Sequence, residues 1–391
     1  MHTIYENAYL TLAATASSHG NGGCYRSTPQ EAYERKFIYG TPQFESQGST
    51  VYVREAIPHF DNRNSYEVRN REFPLLERAW VYQEQVLSSR MLHFCSFELL
   101  FECKEDADCQ CEEGSMFHQT NKVRIYRTLQ ATNRKASMVW SWPELVENYT
   151  ALKMTYDKDR LPALSSIARK IAQLSPGDCY LAGMWKSTLL ESLLWFIVYD
   201  EVQRHRPAEP RAPSWSWASA FGSLSWKFCK IASWELEQNV VPDTGTESHA
   251  KILKAECHPV DGDPFGCIDS GVITLSGKVT PCVLTWTTSP EVDPQRPEWK
   301  IAAFDNMPFN KDDEPHHYVF GADYLFNLDA PGCLDIFCLW LCRRGDTWRG
   351  LVLQKVRDNT FERIGCFVVE LDDNCVPWDI IEVIDFIADI I

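Results

Sequence analysis

The stretch that most constrains this chain is PLLERAWVYQEQVLSSRMLHFCSFELLFEC, from Pro74 to Cys103. It opens with proline at a first helical position, runs for about four turns and stops at the Ser88-Ser89 pair. Two rows recur at helical spacing: Leu75, Ala79, Tyr82, Val86, and Leu76, Trp80, Glu84, Leu87. A helix apolar along two rows is buried on most sides. Glu84 therefore falls in an apolar row, one turn after Trp80. A bare carboxylate there costs several kcal/mol or more unless it is paired, neutral or functional. Beyond the helix, MLHFC and ELLFEC read as two short strands around Ser96-Phe97. A helix that delivers a glutamate to a strand edge is the leading candidate for a site.

Size and charge narrow the setting. A chain of 391 residues is expected to form two domains with large cores. Aromatic residues at 13%, fourteen of them tryptophan, argue for folded structure rather than disorder. A net charge of −16 disfavours nucleic acid and anionic membrane as partners, since both call for a basic footprint. Fifteen cysteines, mostly single and in strand-like contexts (Cys95, Cys338, Cys366), fit free thiols in a reducing compartment. No apolar run approaches the roughly 18 residues of a membrane span; LDIFCLWLC, from Leu334 to Cys342, is the nearest and is strand-like. The opening AYLTLAATASS lacks a basic flank, carries Glu6 ahead of it and alternates as a strand does, so it is not read as a leader. A cytoplasmic protein is expected.

In chain order, residues 1–8 read as a helix end feeding a strand from Tyr9 to Thr15. SHGNGGC, Ser18 to Cys24, is a turn, and its glycines alone are weak evidence for a phosphate loop. Residues 26–72 are polar and proline-spaced, with one strand at Thr50–Val53. The acidic loop after Cys103 holds Cys109, Cys111 and His118, four soft ligands with Cys103, but without the paired spacing of a structural zinc site; no metal is assigned. Helices follow around Trp140, Trp142, Leu145, Tyr149 and Leu152, over Leu164–Leu174 between Pro162 and Pro176-Gly177, and after a capping box at Thr188–Glu191. RHRPAEPRAP is a linker, and SWSWAS places Trp215 and Trp217 on one face of an extended segment, as core. Strands then recur to Leu371, with a hairpin turn at Arg357-Asp358-Asn359, and predict an antiparallel sandwich or barrel. WDIIEVIDFIADII carries Ile380, Ile384, Ile387 and Ile391 at helical spacing and is expected to be a terminal helix. Scattered histidines (His93, His118, His205, His258) and no GxSxG stretch argue against a hydrolase.

Five blocks, MHTIYENAYLTLAATASSHGNGGCY, PLLERAWVYQEQVLSSRMLHF with FEC, DRLPALSSIA, YLAGMWKSTLLESLLW and RAPSWSWAS, resemble the fungal heterokaryon-incompatibility (HET) family in its own order over residues 1–220. That resemblance implies non-self recognition and regulated cell death, and a domain distantly similar to Toll/interleukin-1 receptor (TIR) domains. The fold it implies is α/β plus β. Residues 1–115 would be the C-terminal part of a HET domain, a partial flavodoxin/TIR-like parallel sheet. A helical extension would follow at 116–203, then an antiparallel β-rich domain at 204–391. Some TIR domains cleave NAD with a glutamate four residues after a tryptophan; here the pattern falls on Trp80 and Glu84. The resemblance thus implies Glu84 as catalytic carboxylate, Trp80, Arg78 and Arg90 as substrate-binding residues, and NAD as substrate, with no cofactor. The family's first strand blocks do not appear, so an N-terminally shortened domain is expected. Protein partners or self-association are the alternative to catalysis.

Overall fold

The computed structural model describes residues 2–25, 35–39, 49–53, 71–110, 120–130, 134–198, 207, 209–226, 246–287, 298–304, 307, 318–324, 332–371 and 375–391. They fall into two compact units, Met1–Arg127 and Thr128–Ile391.

In the first unit, helix α1 (His2–Asn7) runs into strand β1 (Thr11–Ala13). Strands β2 (Arg35–Tyr39) and β3 (Ser49–Val53) pair antiparallel with each other. Helix α2 (Ala79–Leu87) leads into β4 (Arg90–Phe94), β5 (Leu99–Cys103) and β6 (Ala107–Cys109), and α3 spans Asn121–Gln130. The sheet order is β1-β4-β5-β6. β1 and β4 are parallel, with Thr11 opposite Met91, and α2 lies in their crossover, as a parallel pair requires. The remaining pairs are antiparallel, so the sheet is mixed.

The helix expected from Pro74 is broken. Pro74–Glu77 forms a 3-10 turn, Arg78 is extended (φ −93°, ψ 127°), and the α-helix starts only at Ala79. The Arg78 N–H closes the turn on the Leu75 carbonyl, and the Leu75 N–H reaches the Thr15 carbonyl at the end of β1. The turn is thereby fastened to the sheet rather than continued as helix. The helix end is where the serines place it: the Ser88 N–H and hydroxyl both donate to the Glu84 carbonyl, at 3.1 and 2.8 Å.

Alternation along β4 and β5 turns Met91, His93, Leu100 and Glu102 inward. His93 and Glu102 have no exposed surface, nor do Thr15 and Lys122. His93 Nδ1 lies 2.9 Å from Thr15 Oγ1, while His93 Nε2 and Lys122 Nζ approach Glu102 Oε1 at 3.4 and 3.6 Å. One buried carboxylate thus gathers groups from β1's end, β4 and α3.

The second unit begins with α4 (Arg134–Thr150) and α5 (Ser165–Leu174), then the hairpin β7 (Tyr180–Leu181) and β8 (Met184–Trp185). Its two-residue turn, Ala182-Gly183, has both φ values positive, at 45° and 97°, as a primed hairpin turn requires. The Gly183 carbonyl accepts from the Trp142 and Trp217 indoles, both at 2.7 Å, and the Ala182 carbonyl accepts from Ser216 Oγ at 2.5 Å. The tryptophans of SWSWAS are therefore core, fully buried, though Trp217–Ser219 is a 3-10 turn rather than extended. Helix α6 (Leu189–Ser192) starts without the expected capping box: Thr188 makes no cap bond, and its hydroxyl sits 3.3 Å from that of Ser192. β9 (Phe196–Ile197) then pairs with β10 (Leu224–Ser225).

The tail is a nine-stranded sheet. Its strands are β11 (Thr246–Ser248), β12 (Lys251–Pro259), β13 (Ile268–Thr287), β14 (Glu298–Ile301), β15 (Tyr318–Ala322), β16 (Gly332–Arg344), β17 (Thr347–Arg357), β18 (Thr360–Glu370) and β19 (Ile384–Ile390). The twenty-residue β13 pairs with β19 along its first half and β16 along its second, so β13-β16-β17-β18-β19 closes on itself as a barrel. Trp340, Trp348, Ile364 and Phe367 belong to one buried core cluster of this sheet. Gly350 is needed there, because a Cβ would stand 2.1 Å from the Leu339 carbonyl oxygen. Asn359, with φ 55°, makes the expected β17–β18 turn. The terminal helix is not formed. β19 buries Phe386, Ala388 and Ile390 and leaves Ile384 and Ile387 out, because pairing between β13 and β18 imposes a period of two on a sequence that also carries a helical one.

Arg363 on β18 is the polar centre of this unit. Buried to 1% exposure, it donates from Nε and Nη2 to the two Asp323 oxygens at 2.9 and 3.0 Å, and from Nη2 to the Trp195 carbonyl at 2.5 Å. Nη1 donates to the Leu193 carbonyl, and the guanidinium lies 3.5 Å over the Trp195 ring. Arg363→Met keeps the volume but strands the Asp323 carboxylate, so a loss of about 3–5 kcal/mol is expected in denaturant unfolding of the whole chain. A loss below about 1 kcal/mol would show that the pair contributes no more than a surface bridge.

Candidate functional site

α2 begins after the extended Arg78. Its buried residues are Ala79, Val81, Tyr82, Gln83, Val86 and Leu87. Trp80 and Glu84 are half-buried, one turn apart, at the margin of that face. The row containing Glu84 is thus a boundary row, and Gln83 occupies the interior place beside it.

α1 packs against α2 and brings Tyr5 to Glu84. The Tyr5 hydroxyl donates to the Glu84 carboxylate, and the Arg78 charge acts on it from the helix start. Burial pushes the Glu84 carboxyl above the ordinary glutamate value; the Tyr5 hydrogen bond and Arg78 only partly offset this. Burial, reinforced by the bond and charge of Glu84, likewise pushes the Tyr5 hydroxyl up to about 12, so Tyr5 keeps its proton across the physiological range. The site is a half-buried carboxylate with a fixed donor on one side. Such a group can accept a hydroxyl proton or stabilise developing positive charge without a metal.

Of the four residues singled out from the sequence, the structure gathers three on or beside α2. Trp80 shares the Glu84 face, and Arg78 stands exposed at the break. Arg90 is engaged elsewhere: its guanidinium lies 4.9 Å over the Tyr9 ring, and its Nη1 is 3.5 Å from the Tyr9 carbonyl oxygen.

The sequence reading missed Tyr5 and the buried Thr15–His93–Glu102–Lys122 group. Burial pushes the Glu102 carboxyl up, but the His93 hydrogen bond and the Lys122 charge outweigh it and hold it below the ordinary value. Burial also pulls the Lys122 ammonium down, against the attraction of Glu102. Gln85, the residue after Glu84, acts on Glu102 from α2 in the same direction as His93 and Lys122. His93 and Glu102 were legible from strand alternation with Met91 and Leu100.

Of the soft-ligand set, Cys103 is half-buried and Cys109 buried, both as free thiols, while Cys111 and His118 lie outside the described residues. Among the described residues no group of three or more histidine, cysteine, aspartate or glutamate side chains is arranged to hold a metal ion. The second unit carries a shallow pocket lined by Ser214, Ser219, Asp323, Tyr324 and Arg363 among others. The Arg363 donors there are already turned onto Asp323 and two carbonyls, so the pocket offers a closed ion pair.

No curated protein and no solved structure matches the chain. The model of one family does, over residues 1–84, a span that contains α1, β1 and α2 as far as Glu84. That family is described as heterokaryon incompatibility protein (HET), and over this segment the chain is similar to it.

Proposed function

We propose that the chain acts in fungal heterokaryon incompatibility, in non-self recognition and regulated cell death, and that Glu84 cleaves NAD at the nicotinamide–ribose bond. The observation that carries the chemistry is a carboxylate held half inside the fold with Tyr5 fixed against it. The HET match over residues 1–84 supports the biological setting. The parallel β1–β4 pair with α2 in its crossover supports likeness to a TIR-type domain, in which the acid follows a tryptophan by one turn.

Departure of nicotinamide leaves positive charge on the ribose, and a carboxylate near it stabilises that state by several kcal/mol. Glu84 supplies the charge, the Tyr5 hydroxyl fixes one of its oxygens, and Arg78 helps keep it ionised. Trp80, on the same face, offers a ring for the nicotinamide to stack on. NAD is substrate here, and the chain works in the cytosol with protein partners. Among the described residues no helix is long and apolar enough to cross a membrane.

A second reading, a non-enzymatic self-association module, draws on β1. It is an outer strand of the small sheet, and Leu10 and Leu12 beside and on it are 41% and 58% exposed. Among the described residues no strand pairs with its outer edge, and such an apolar edge is a pairing template. The two readings part on nicotinamide release.

Purified chain is expected to release nicotinamide from NAD, and Glu84→Gln to slow release about 10²–10³-fold with an unchanged melting temperature. Inert wild-type protein, or a Glu84→Gln variant as fast as wild type, would sink the enzymatic reading and leave the association module. Tyr5→Phe removes a bond that lowers the Glu84 pKa. The acidic limb of the rate profile, set by ionised Glu84, should therefore move to higher pH in that variant. A limb that stays put or moves down would show that Tyr5 does not bond the reacting carboxylate.

A further inference from the structure

Strands β13 and β16 run antiparallel with Thr280 opposite Cys338 and Cys282 opposite Ile336. Cys282 and Cys338 are therefore diagonal neighbours on one face of the pair, and their Sγ atoms lie 3.6 Å apart. Both are free thiols. Cys338 is fully buried in the core cluster that holds Trp340 and Phe367, whereas Cys282 packs at its margin and is only partly covered. Two sulfurs in van der Waals contact, one within reach of solvent and one sealed behind it, have the arrangement of an attacking thiol and its resolving partner.

We propose that Cys282 and Cys338 form a redox-sensitive pair that hydrogen peroxide converts into a disulfide across β13 and β16. In the first step the Cys282 sulfur attacks one peroxide oxygen and the O–O bond breaks. The displaced oxygen leaves as water with the thiol's proton, and Cys282 becomes a sulfenic acid. In the second step the Cys338 sulfur attacks that sulfur, the S–O bond breaks, and a second water leaves with the Cys338 proton. Two thiols and one peroxide thus give one disulfide and two waters.

The order follows from exposure. Peroxide reaches Cys282 first, and burial, together with the hydrogen bond to Cys282, pushes the Cys338 thiol well above its usual value, which disfavours it as first nucleophile. Once Cys282 is oxidised, proximity alone makes Cys338 the resolving group. Bond formation draws the sulfurs from 3.6 Å to about 2.05 Å. Diagonal strand neighbours stand farther apart than directly opposite ones, so the link is formed under tension. A disulfide under tension is readily reduced again, which is the behaviour of a regulatory rather than a structural bond. Among the described residues every cysteine is a free thiol, so no disulfide joins these strands, and β13 is the strand on which the barrel closes.

The test uses the full chain, purified reduced, exposed to hydrogen peroxide, blocked with a thiol reagent, digested and read by mass spectrometry. The expected result is a peptide pair linking Cys282 to Cys338, lost on dithiothreitol treatment and lost in Cys282→Ser. In Cys338→Ala, a sulfenic-acid probe should label Cys282 several-fold more strongly than in wild type, because the resolving thiol is gone. If Cys282 stays reduced while exposed Cys333 is oxidised, the proposal fails. It fails equally if Cys282 links to another cysteine, or if probe labelling of Cys282 is the same with and without Cys338.

Discussion

Glu102 has no surface in contact with solvent, and a carboxylate in that position is several kcal/mol unfavourable unless its charge is met. It is met from several directions: by His93 across the β4–β5 pair, by Lys122 from α3 and by Gln85 from α2. Thr15, at the end of β1, holds the far nitrogen of the His93 ring. The end of β1, β4, α2 and α3 are thereby drawn to one charge on β5. Gln85 acts on Glu102 from α2, and Glu84, the preceding residue, lies at the edge of the buried face.

The second unit answers the same problem with the signs reversed. Arg363 is buried inside a β-rich body and is met by the Asp323 carboxylate in a two-pronged pair and by carbonyls of Leu193 and Trp195. Those carbonyls come from the segment around α6, so the charge fastens a helical stretch to the barrel. Ser214 extends the arrangement, accepting from the Arg363 N–H at 2.9 Å, while its own N–H donates to the Ile391 carbonyl at 3.0 Å. In both units a buried ion, rather than apolar packing alone, specifies which segments meet. Removal of one partner is costly in such an arrangement because the other cannot reach water.

Much of this was legible in the residues. Ser88 ends α2 where the serine pair predicts, the parallel β1–β4 pair flanks it, and the β17–β18 turn falls on Asn359. Trp215 and Trp217 are core, as period-two aromatics suggest. Other features were hidden. Nothing in PLLER announces that Arg78 will be extended; the break depends on a long-range bond between Leu75 and Thr15. Glu102 and His93 were open to the alternation rule, yet Lys122 was not, since one lysine on a polar helix reads as surface. The last strand misleads for a physical reason: its isoleucines satisfy two periods, and pairing partners decide which period wins.

The account turns on Glu84 being held partly out of water with a tyrosine hydroxyl against it. A pH titration of its side-chain carboxyl by carbon-13 NMR reads this directly, with the signal assigned by its loss in Glu84→Gln. The account predicts a midpoint above the ordinary glutamate value of about 4.3. A midpoint at or below that value would mean that the carboxylate is solvated like any surface glutamate, and would contradict the placement on which the site depends.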